Sequence, residues 1–141
     1  VHFGDEGQKK LKKGIKTIAG AVKSTLGARG RTVLIESENH VGGMTVTKDG
    51  VTVAKSINLY DPTENLAVMM MRQAAERTAT VAGDGTTTSI VLAEAIIDAA
   101  DKFLSDEDNV TEVIKEINQI TSQVVAKLDK RSKKLSGIRK N

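Results

Sequence analysis

Four long stretches of this chain repeat apolar residues at helical spacing, and this periodicity constrains the fold more than any other feature. The first stretch opens at Gly4-Asp5, where Asp5 can cap a helix, and it ends at Gly27. Its apolar stripe consists of Leu11, Ile15, Ile18, Val22 and Leu26. The other stretches cover residues 64–81, residues 86–104 and a segment that Asn109 can cap. Steps of three and four residues are typical of amphipathic helices, so the sequence predicts a mainly α fold, a bundle of long helices.

The second of these stretches predicts a core-facing series of its own. We expect its buried residues to be Leu66, Met69, Met70, Ala74, Thr78 and Val81. Within it, the run Met69-Met70-Met71 indicates adaptable filling of the core, since Arg72 and Glu76 return the other face to solvent.

Two β-branched runs, at residues 32–36 and 44–47, flank a polar segment and predict a small β-hairpin. A two-stranded ribbon is only marginally stable alone in water, and the unpaired backbone groups of its open edge can pair with another strand. The apolar residues that need cover are Val33, Ile35, Met44 and Val46. The only other strand-like segment is Val1 to Phe3, so we expect these elements to meet across a subunit contact. Residues 51–57 are compatible with either a strand or a short helix.

Composition excludes several classes of protein. With 141 residues, 39% of them apolar and only three aromatic, the chain can form one domain with an aliphatic core. It has no cysteine, which excludes disulfides, thiolate zinc sites and cysteine nucleophiles. Its two histidines lie far apart, so we expect no histidine metal cluster.

The charges are unevenly distributed, and this raises the question of nucleic-acid binding. Residues 1–31 hold eight Lys or Arg against two acids, residues 32–125 hold six against fifteen, and residues 126–141 hold seven against one. The basic residues of the first segment fall on the polar face of a helix, and aromatic stacking platforms are missing. We therefore expect no nucleic-acid partner. Because Glu94 and Asp98 interrupt the longest apolar region, we also expect no membrane span.

The segment Ala82-Gly83-Asp84-Gly85-Thr86-Thr87-Thr88-Ser89 concentrates the unusual chemistry of the chain. The two glycines permit a close approach of backbone N–H groups to a ligand. The hydroxyl residues stand where a helix begins, and a helix N-terminus favours an anion. Mg²⁺ would reconcile Asp84 with a phosphate, because this ion binds through one or two carboxylates, waters and phosphate oxygens. Read alone, the same residues make a turn and a helix cap.

Two further turns share this chemistry. Thr25-Leu26-Gly27-Ala28-Arg29-Gly30-Arg31 follows the first helix, and Lys48-Asp49-Gly50 follows the hairpin. The first can present backbone groups and a guanidinium to a phosphate, although alone it also fits a C-cap with arginines in solvent. Three turns of one kind suggest one nucleotide site. The chain contains neither a P-loop nor a dinucleotide-binding glycine motif.

Together, the three turns identify a resemblance. Thr25–Arg31, Thr47–Ala54 and Ala82–Thr88 occur in the order and spacing of the N-terminal equatorial segment of group I (GroEL-type) chaperonins. The chain resembles that segment from Val1 to about Leu135. The family resemblance implies that residues 1–141 are the N-terminal part of the equatorial nucleotide-binding domain. Residues from about 130 onward would lead toward the intermediate-domain hinge, and the apical and intermediate domains would lie outside this chain.

The resemblance also implies roles for particular residues. Asp84 would be the magnesium ligand, and Asp49 would be the catalytic residue that positions or activates the attacking water. The residues that it assigns to the nucleotide are Thr25, Leu26, Gly27, Ala28, Lys48, Gly50, Gly85, Thr86, Thr87 and Thr88. The second catalytic carboxylate and the nucleoside-binding residues of the family have no counterpart among these 141 residues.

The resemblance further implies a biological setting. The intact protein would be an ATP hydrolase that assists protein folding in a homo-oligomeric ring, with ATP and Mg²⁺ as cofactors and K⁺ as a second candidate ion. Its partners would be unfolded proteins and a co-chaperonin lid, in a bacterial or viral-host cytoplasm or an organelle matrix. Ala28-Arg29 stands where the family usually has Pro-Lys, which marks a divergent member. Two alternatives stay open: a non-catalytic chaperonin-derived scaffold, and a phosphotransferase that uses Asp84 with Mg²⁺ and Asp49 as base.

Overall fold

The structure is a computed structural model that describes residues 4–36, 43–105 and 107–133. Its elements are α1 (Gly4–Lys23), β1 (Val33–Glu36), β2 (Met44–Thr47), α2 (Gly50–Ser56), α3 (Pro62–Ala82), α4 (Thr86–Phe103) and α5 (Val110–Arg131). The prediction of a mainly α fold with one hairpin is therefore confirmed. The strand predicted at residues 1–3 and most of the hairpin tip lie outside the described residues.

The chain divides into two compact units, residues 1–102 and 103–141. The first unit holds α1, the hairpin, α2, α3 and nearly all of α4. The second holds α5, which Asn109 caps as predicted: its side-chain oxygen accepts the Thr111 N–H at 3.1 Å. Within the described residues, no helix has both the length and the apolar character needed to cross a membrane.

The core of the first unit lies where α1 packs against α3, with α2 and α4 contributing one side each. Its buried residues are Ile18, Ala19, Val22, Val53, Ala54, Val68, Met71, Ala75 and Ile90. The helices α1 and α3 approach each other closely at Gly14, where an added Cβ would lie 2.2 Å from the Glu64 carbonyl oxygen and 3.0 Å from the Ala67 Cβ. Glycine and alanine at this crossing therefore allow the two backbones to approach.

The predicted core face of α3 is wrong. The structure buries Ala67, Val68, Met71 and Ala75, whereas Leu66, Met69, Met70 and Val81 are exposed. Of the three consecutive methionines only Met71 fills the core. The error has a physical cause: the close α1–α3 contact selects the face with two alanines, while the prediction followed the larger apolar side chains.

The start of α1 differs from the prediction, and the structure decides between the two predictions made for α2. The first helix begins at Gly4, so Asp5 lies in its first turn and the prediction that it is the N-cap is wrong. The sequence of residues 51–57 is compatible with either a strand or a helix, and the structure forms the helix α2 over Gly50–Ser56. Asp49 caps this short helix with its carboxylate, and this cap outweighs the β-propensity of the valines that follow.

The strands β1 and β2 pair antiparallel, with Val33 opposite Thr47 and Leu34 opposite Val46. Val33 and Ile35 pack against the core of the first unit. Leu34 and Val46, on the other face, are 65% and 63% exposed. Of the four apolar residues expected to need cover, two are therefore covered within the chain, and the exposed face instead comprises Leu34, Met44 and Val46.

Candidate functional site

The turn that follows α1 is anchored at its start and open beyond it. Thr25 is buried, and its hydroxyl donates to the Val22 carbonyl oxygen at 2.8 Å. The Arg31 N–H donates to the Ser24 carbonyl oxygen at 2.7 Å, which closes the turn. Three of the predicted ligands in it are exposed: Leu26, Gly27 and Ala28. A ligand can therefore approach the backbone of this turn from solvent.

Asp49 stands at the start of α2 and holds the first turn of that helix. Its carboxylate accepts the Val51 N–H at 3.3 Å, the Thr52 N–H at 3.0 Å and the Thr52 hydroxyl at 2.6 Å. The pKa of Asp49 is lowered, chiefly by the Thr52 hydroxyl and further by the two N–H groups and Lys55. Partial burial acts in the opposite direction, because it raises the pKa. Asp49 is therefore a carboxylate at neutral pH. Lys48, the residue before it, is exposed.

The link between α3 and α4 is built on two glycines with positive φ. Gly83 has φ 74° and Gly85 has φ 86°, in the left-handed region that side chains disfavour. The Gly83 N–H ends α3 by donating to the Ala79 carbonyl oxygen at 2.9 Å. Asp84, between the glycines, is exposed, and its Oδ1 accepts the Gly85 N–H at 2.6 Å. This bond leaves the second carboxylate oxygen available to a ligand.

The N-terminus of α4 differs from those of three other helices. The helices α2, α3 and α5 are capped by Asp49, Asp61 and Asn109, whose side chains accept first-turn N–H groups. At α4 the corresponding position is Gly85, whose carbonyl oxygen accepts the Ser89 N–H at 2.9 Å but which has no side chain. The first-turn N–H groups of α4, those of Thr86, Thr87 and Thr88, therefore face a position without a capping side chain. This is the arrangement that suits an external anion.

A close contact at Gly50 joins the predicted segments. A Cβ added to Gly50 would lie 2.0 Å from the Thr87 Oγ1 and 3.2 Å from the Val22 Cγ1. The first residue of α2 therefore packs directly against the first turn of α4 and the last turn of α1. Thr25 follows Val22 by three residues and Asp49 precedes Gly50. The structure thus brings together the starts of α2 and α4 and the end of α1, from which the three predicted turns extend.

The carboxylates of the site fit magnesium better than a metal held by protein alone. In the described residues, no group of three or more His, Asp or Glu side chains is placed to hold a metal ion. Asp84 offers one exposed carboxylate beside the uncapped start of α4. Magnesium needs only one or two carboxylates when waters and phosphates complete its shell. Asp84 therefore has the ligand chemistry for a magnesium ion that arrives with a phosphate.

One charged pair next to this junction was missed by sequence reasoning. Glu94 of α4 is buried, with 7% exposure, and forms an ion pair with the Nζ of Lys23 in the last turn of α1. The signal was present, because Glu94 follows the buried Ile90 by four residues and so falls on the same helix face. In the sequence, the charge of Glu94 served only to exclude a membrane span. A carboxylate on a buried helix face also requires a partner of opposite charge.

Comparison with known proteins identifies the family of this chain. Residues 18–140 match the model of the TCP-1/cpn60 chaperonin family. This chain belongs to that family. Similar solved structures include two crystal forms of the chaperonin gp146 from the bacteriophage EL 2 (Pseudomonas aeruginosa), both in the presence of ATP-BeFx. Crystal form II has a TM-score of 0.80 and 29% identity over 94% of this chain and 22% of that one. Crystal form I has a TM-score of 0.66 and 34% identity over 72% of this chain and 18% of that one.

The chaperonin assignment confirms the recognised resemblance and the predicted fold class, that of a chaperonin equatorial domain. The chain spans about a fifth of the length of the solved chaperonin chains that it matches, 22% and 18% of them. It therefore corresponds to a segment of those larger proteins.

Proposed function

We propose that this chain is the N-terminal part of the equatorial domain of an ATP-dependent chaperonin subunit, and that its three turns bind Mg²⁺-ATP. The observation that carries the proposal is the contact of Gly50 with Thr87 and Val22, because it gathers three segments of one chemistry. The similarity to gp146, crystallised in the presence of ATP-BeFx, supports ATP as the ligand.

The start of α4 would bind phosphate oxygens. The N–H groups of its first turn lack a capping side chain, and the hydroxyls of Thr87 and Thr88 add donors beside them. Gly85 contributes backbone without a side chain to obstruct the ligand. The turn at Thr25, Leu26, Gly27 and Ala28, together with Lys48, would contact the phosphates from the ends of α1 and β2.

Asp84 would hold the magnesium ion that accompanies ATP. When bound, this ion neutralises negative charge on the phosphate oxygens. Asp84 suits the role because it is exposed, and one of its oxygens is held in place by the Gly85 N–H. The flanking glycines keep side chains away from the carboxylate.

Asp49 would orient the water that attacks the phosphate. A carboxylate has about four acceptor positions, and Asp49 uses three of them for Val51 and Thr52. One position is therefore left to accept a hydrogen bond from water. Because the pKa of Asp49 is lowered, the group is a weak base, which favours orientation of the water over removal of its proton.

The exposed face of the hairpin would contact a neighbouring subunit of a homo-oligomeric ring. Leu34 and Val46 are paired across the two strands and largely exposed. An apolar, open-edged ribbon of this kind is a site for association, and a head-to-tail contact closes into a ring when the rotation per subunit allows it. Unfolded proteins would be the substrates of that ring.

The test is ATP turnover by the protein produced from its complete gene, with its assembly size measured by sedimentation. We expect Mg²⁺-dependent release of phosphate from a ring-sized oligomer. Asp49→Ala should leave ATP bound and slow turnover by about 10²-fold, the cost of misplacing a reacting group. Asp98→Ala, in the middle of α4, is the matched control and should leave turnover within about two-fold of the original.

Other outcomes of this test would favour the alternatives. A ring that turns over no ATP would be a chaperonin-derived scaffold. Transfer of the phosphate to a second substrate rather than to water would indicate a phosphotransferase. Unchanged turnover in Asp49→Ala would remove Asp49 from the catalytic role.

A further inference from the structure

Three ion pairs connect α1 to α4. Lys12 pairs with Asp101, Lys16 with Asp98 at 3.6 Å, and Lys23 with Glu94. The residue numbers rise along α1 as they fall along α4, so the two helices run in opposite directions. We call this series the α1–α4 ladder. Its Lys23–Glu94 rung lies nearest the site, because α1 ends and α4 begins there.

The Lys23–Glu94 rung differs from the other two in burial. The side chain of Glu94 is 9% exposed, whereas those of Asp98 and Asp101 are 40% and 45% exposed. Exposed ion pairs contribute little to stability, and a buried pair is often no better than apolar side chains of the same size. Folding alone therefore gives little reason for a carboxylate at this position. A role in holding α1 and α4 at a defined position would explain why a carboxylate lies there.

The rung completes a closed set of contacts around the candidate site. Val22, next to Lys23, packs against Gly50, which in turn packs against Thr87. Glu94 lies seven residues after Thr87, two turns further along the same face of α4. The end of α1 and the start of α4 are thus connected twice, through Gly50 and through the Lys23–Glu94 ion pair. Two connections fix both the separation and the rotation of the helices, which one connection cannot.

We propose that Lys23 and Glu94 are a positioning pair that sets the separation of the two phosphate-binding turns, Thr25–Ala28 and Asp84–Thr88. The proposal rests on the function proposed above, and it adds two residues that belong to none of the three turns. Neither residue needs to touch the nucleotide. Their effect is transmitted because Lys23 precedes the first turn by two residues and Glu94 lies on the helix that the second turn begins.

A direct contact between Lys23 and the phosphates is the competing explanation. Lys23 is half exposed and close to the turn, so its ammonium group could reach an anion once released from Glu94. The two explanations differ in the effect of losing Glu94 alone. A positioning pair fails when either member is lost, and losing both costs no more than losing one, whereas a direct contact by Lys23 survives the loss of Glu94.

The test uses the protein produced from its complete gene and the variants Glu94→Leu, Lys23→Met and their combination. Leucine fills the buried position, and the Lys23 ammonium that loses its partner is half exposed to water, so the unfolding temperature should not fall. We expect each single variant to raise the Kd for Mg²⁺-ATP and lower kcat/KM by about ten- to a hundred-fold, the range produced by small misplacements of binding groups. The double variant should show the loss of one single variant. Lys16→Met, the same change on an exposed rung, should alter the Kd by less than two-fold.

The results separate this proposal from the function on which it rests. If the unmodified protein bound no Mg²⁺-ATP, both would be wrong. If it bound Mg²⁺-ATP and Asp84→Ala abolished that binding while Glu94→Leu left the Kd unchanged, only the positioning role would be refuted. A loss in Lys23→Met without a loss in Glu94→Leu would also refute it, in favour of direct contact by Lys23. Losses that add in the double variant would show that the two residues act separately. Should either single variant fail to fold, the double variant, which leaves neither charge unpaired, gives the comparison with Lys16→Met.

Discussion

Replacing Gly50 by alanine tests the junction that gathers the candidate site. The new Cβ would lie 2.0 Å from the Thr87 Oγ1, 3.2 Å from the Thr87 Cβ and 3.2 Å from the Val22 Cγ1. Non-bonded carbon atoms are at their optimal separation about 3.5–4.0 Å apart, so all three contacts are too short. A threonine in a helix has two accessible rotamers, but rotation moves only the Oγ1 and leaves the Thr87 Cβ 3.2 Å from the new atom. The helices α1, α2 and α4 must therefore shift.

The expected cost follows from the effect of overfilling a packed region. Gly50→Ala should lower the free energy of unfolding by about 1–3 kcal/mol. Because the shift separates the turns, it should also weaken Mg²⁺-ATP binding in the molecules that remain folded. Urea unfolding followed by circular dichroism gives the first quantity, and isothermal titration calorimetry gives the second.

Gly20→Ala is the matched control. Gly20 lies in α1, is exposed, and would bring its added Cβ within 4 Å of nothing. Alanine should stabilise the protein there by about 0.4–1 kcal/mol, because it reduces the freedom of the unfolded chain. If Gly50→Ala were as stable as the original protein in urea, or were stabilised as Gly20→Ala is, the close packing of Gly50 would be refuted.

Three further predictions concern hydrogen bonds, pH and assembly. Thr52→Val should raise the pKa of Asp49, because it removes the hydroxyl that lowers that pKa most. A ¹³C titration of the carboxyl would show this, and an unmoved pKa would contradict the hydrogen bond from the Thr52 hydroxyl. The pKa of Asp61 is lowered from 3.8 to about 2, chiefly by the hydrogen bond from Lys10. The ionised Asp61 therefore stabilises the fold above pH 3.8, and this contribution is lost as the pH falls toward 2. Lys10→Met should reduce the change of the unfolding midpoint with pH in that window. An unchanged slope would contradict the role of the Lys10–Asp61 pair. Leu34→Lys should reduce the oligomer size in sedimentation while the helix content stays constant, and a full-sized ring would place the contact elsewhere.

Helical periodicity predicted where the helices lie but not which face of α3 is buried. The boundaries of α3 and α4 fell within two residues of the predicted ones, because caps and glycines near their ends are local signals. The buried face of α3 depends on a neighbour distant in the sequence, Gly14 of α1, whose small size draws Ala67 inward. Tertiary contacts of this kind leave no trace in the apolar spacing of one helix.

The candidate site shows the same division. The glycines and the Asp84 turn were recognisable from sequence, since their backbone requirements are local. The packing of Gly50 on Thr87 was not, because it joins residues 37 positions apart. The cap formed by Asp49 was missed as well, since the valines after it are as typical of a strand as of a helix.

Mg²⁺-dependent ATP binding tests the central claim most directly. The protein produced from its complete gene would be titrated with ATP by calorimetry, with Mg²⁺ and with EDTA, beside Asp84→Ala and the control Asp98→Ala. We predict binding to the original protein and to Asp98→Ala that requires Mg²⁺, and loss of that binding in Asp84→Ala. Binding by Asp84→Ala that equals the original in Mg²⁺ would contradict the claim that the turn between α3 and α4 holds the metal and the phosphates.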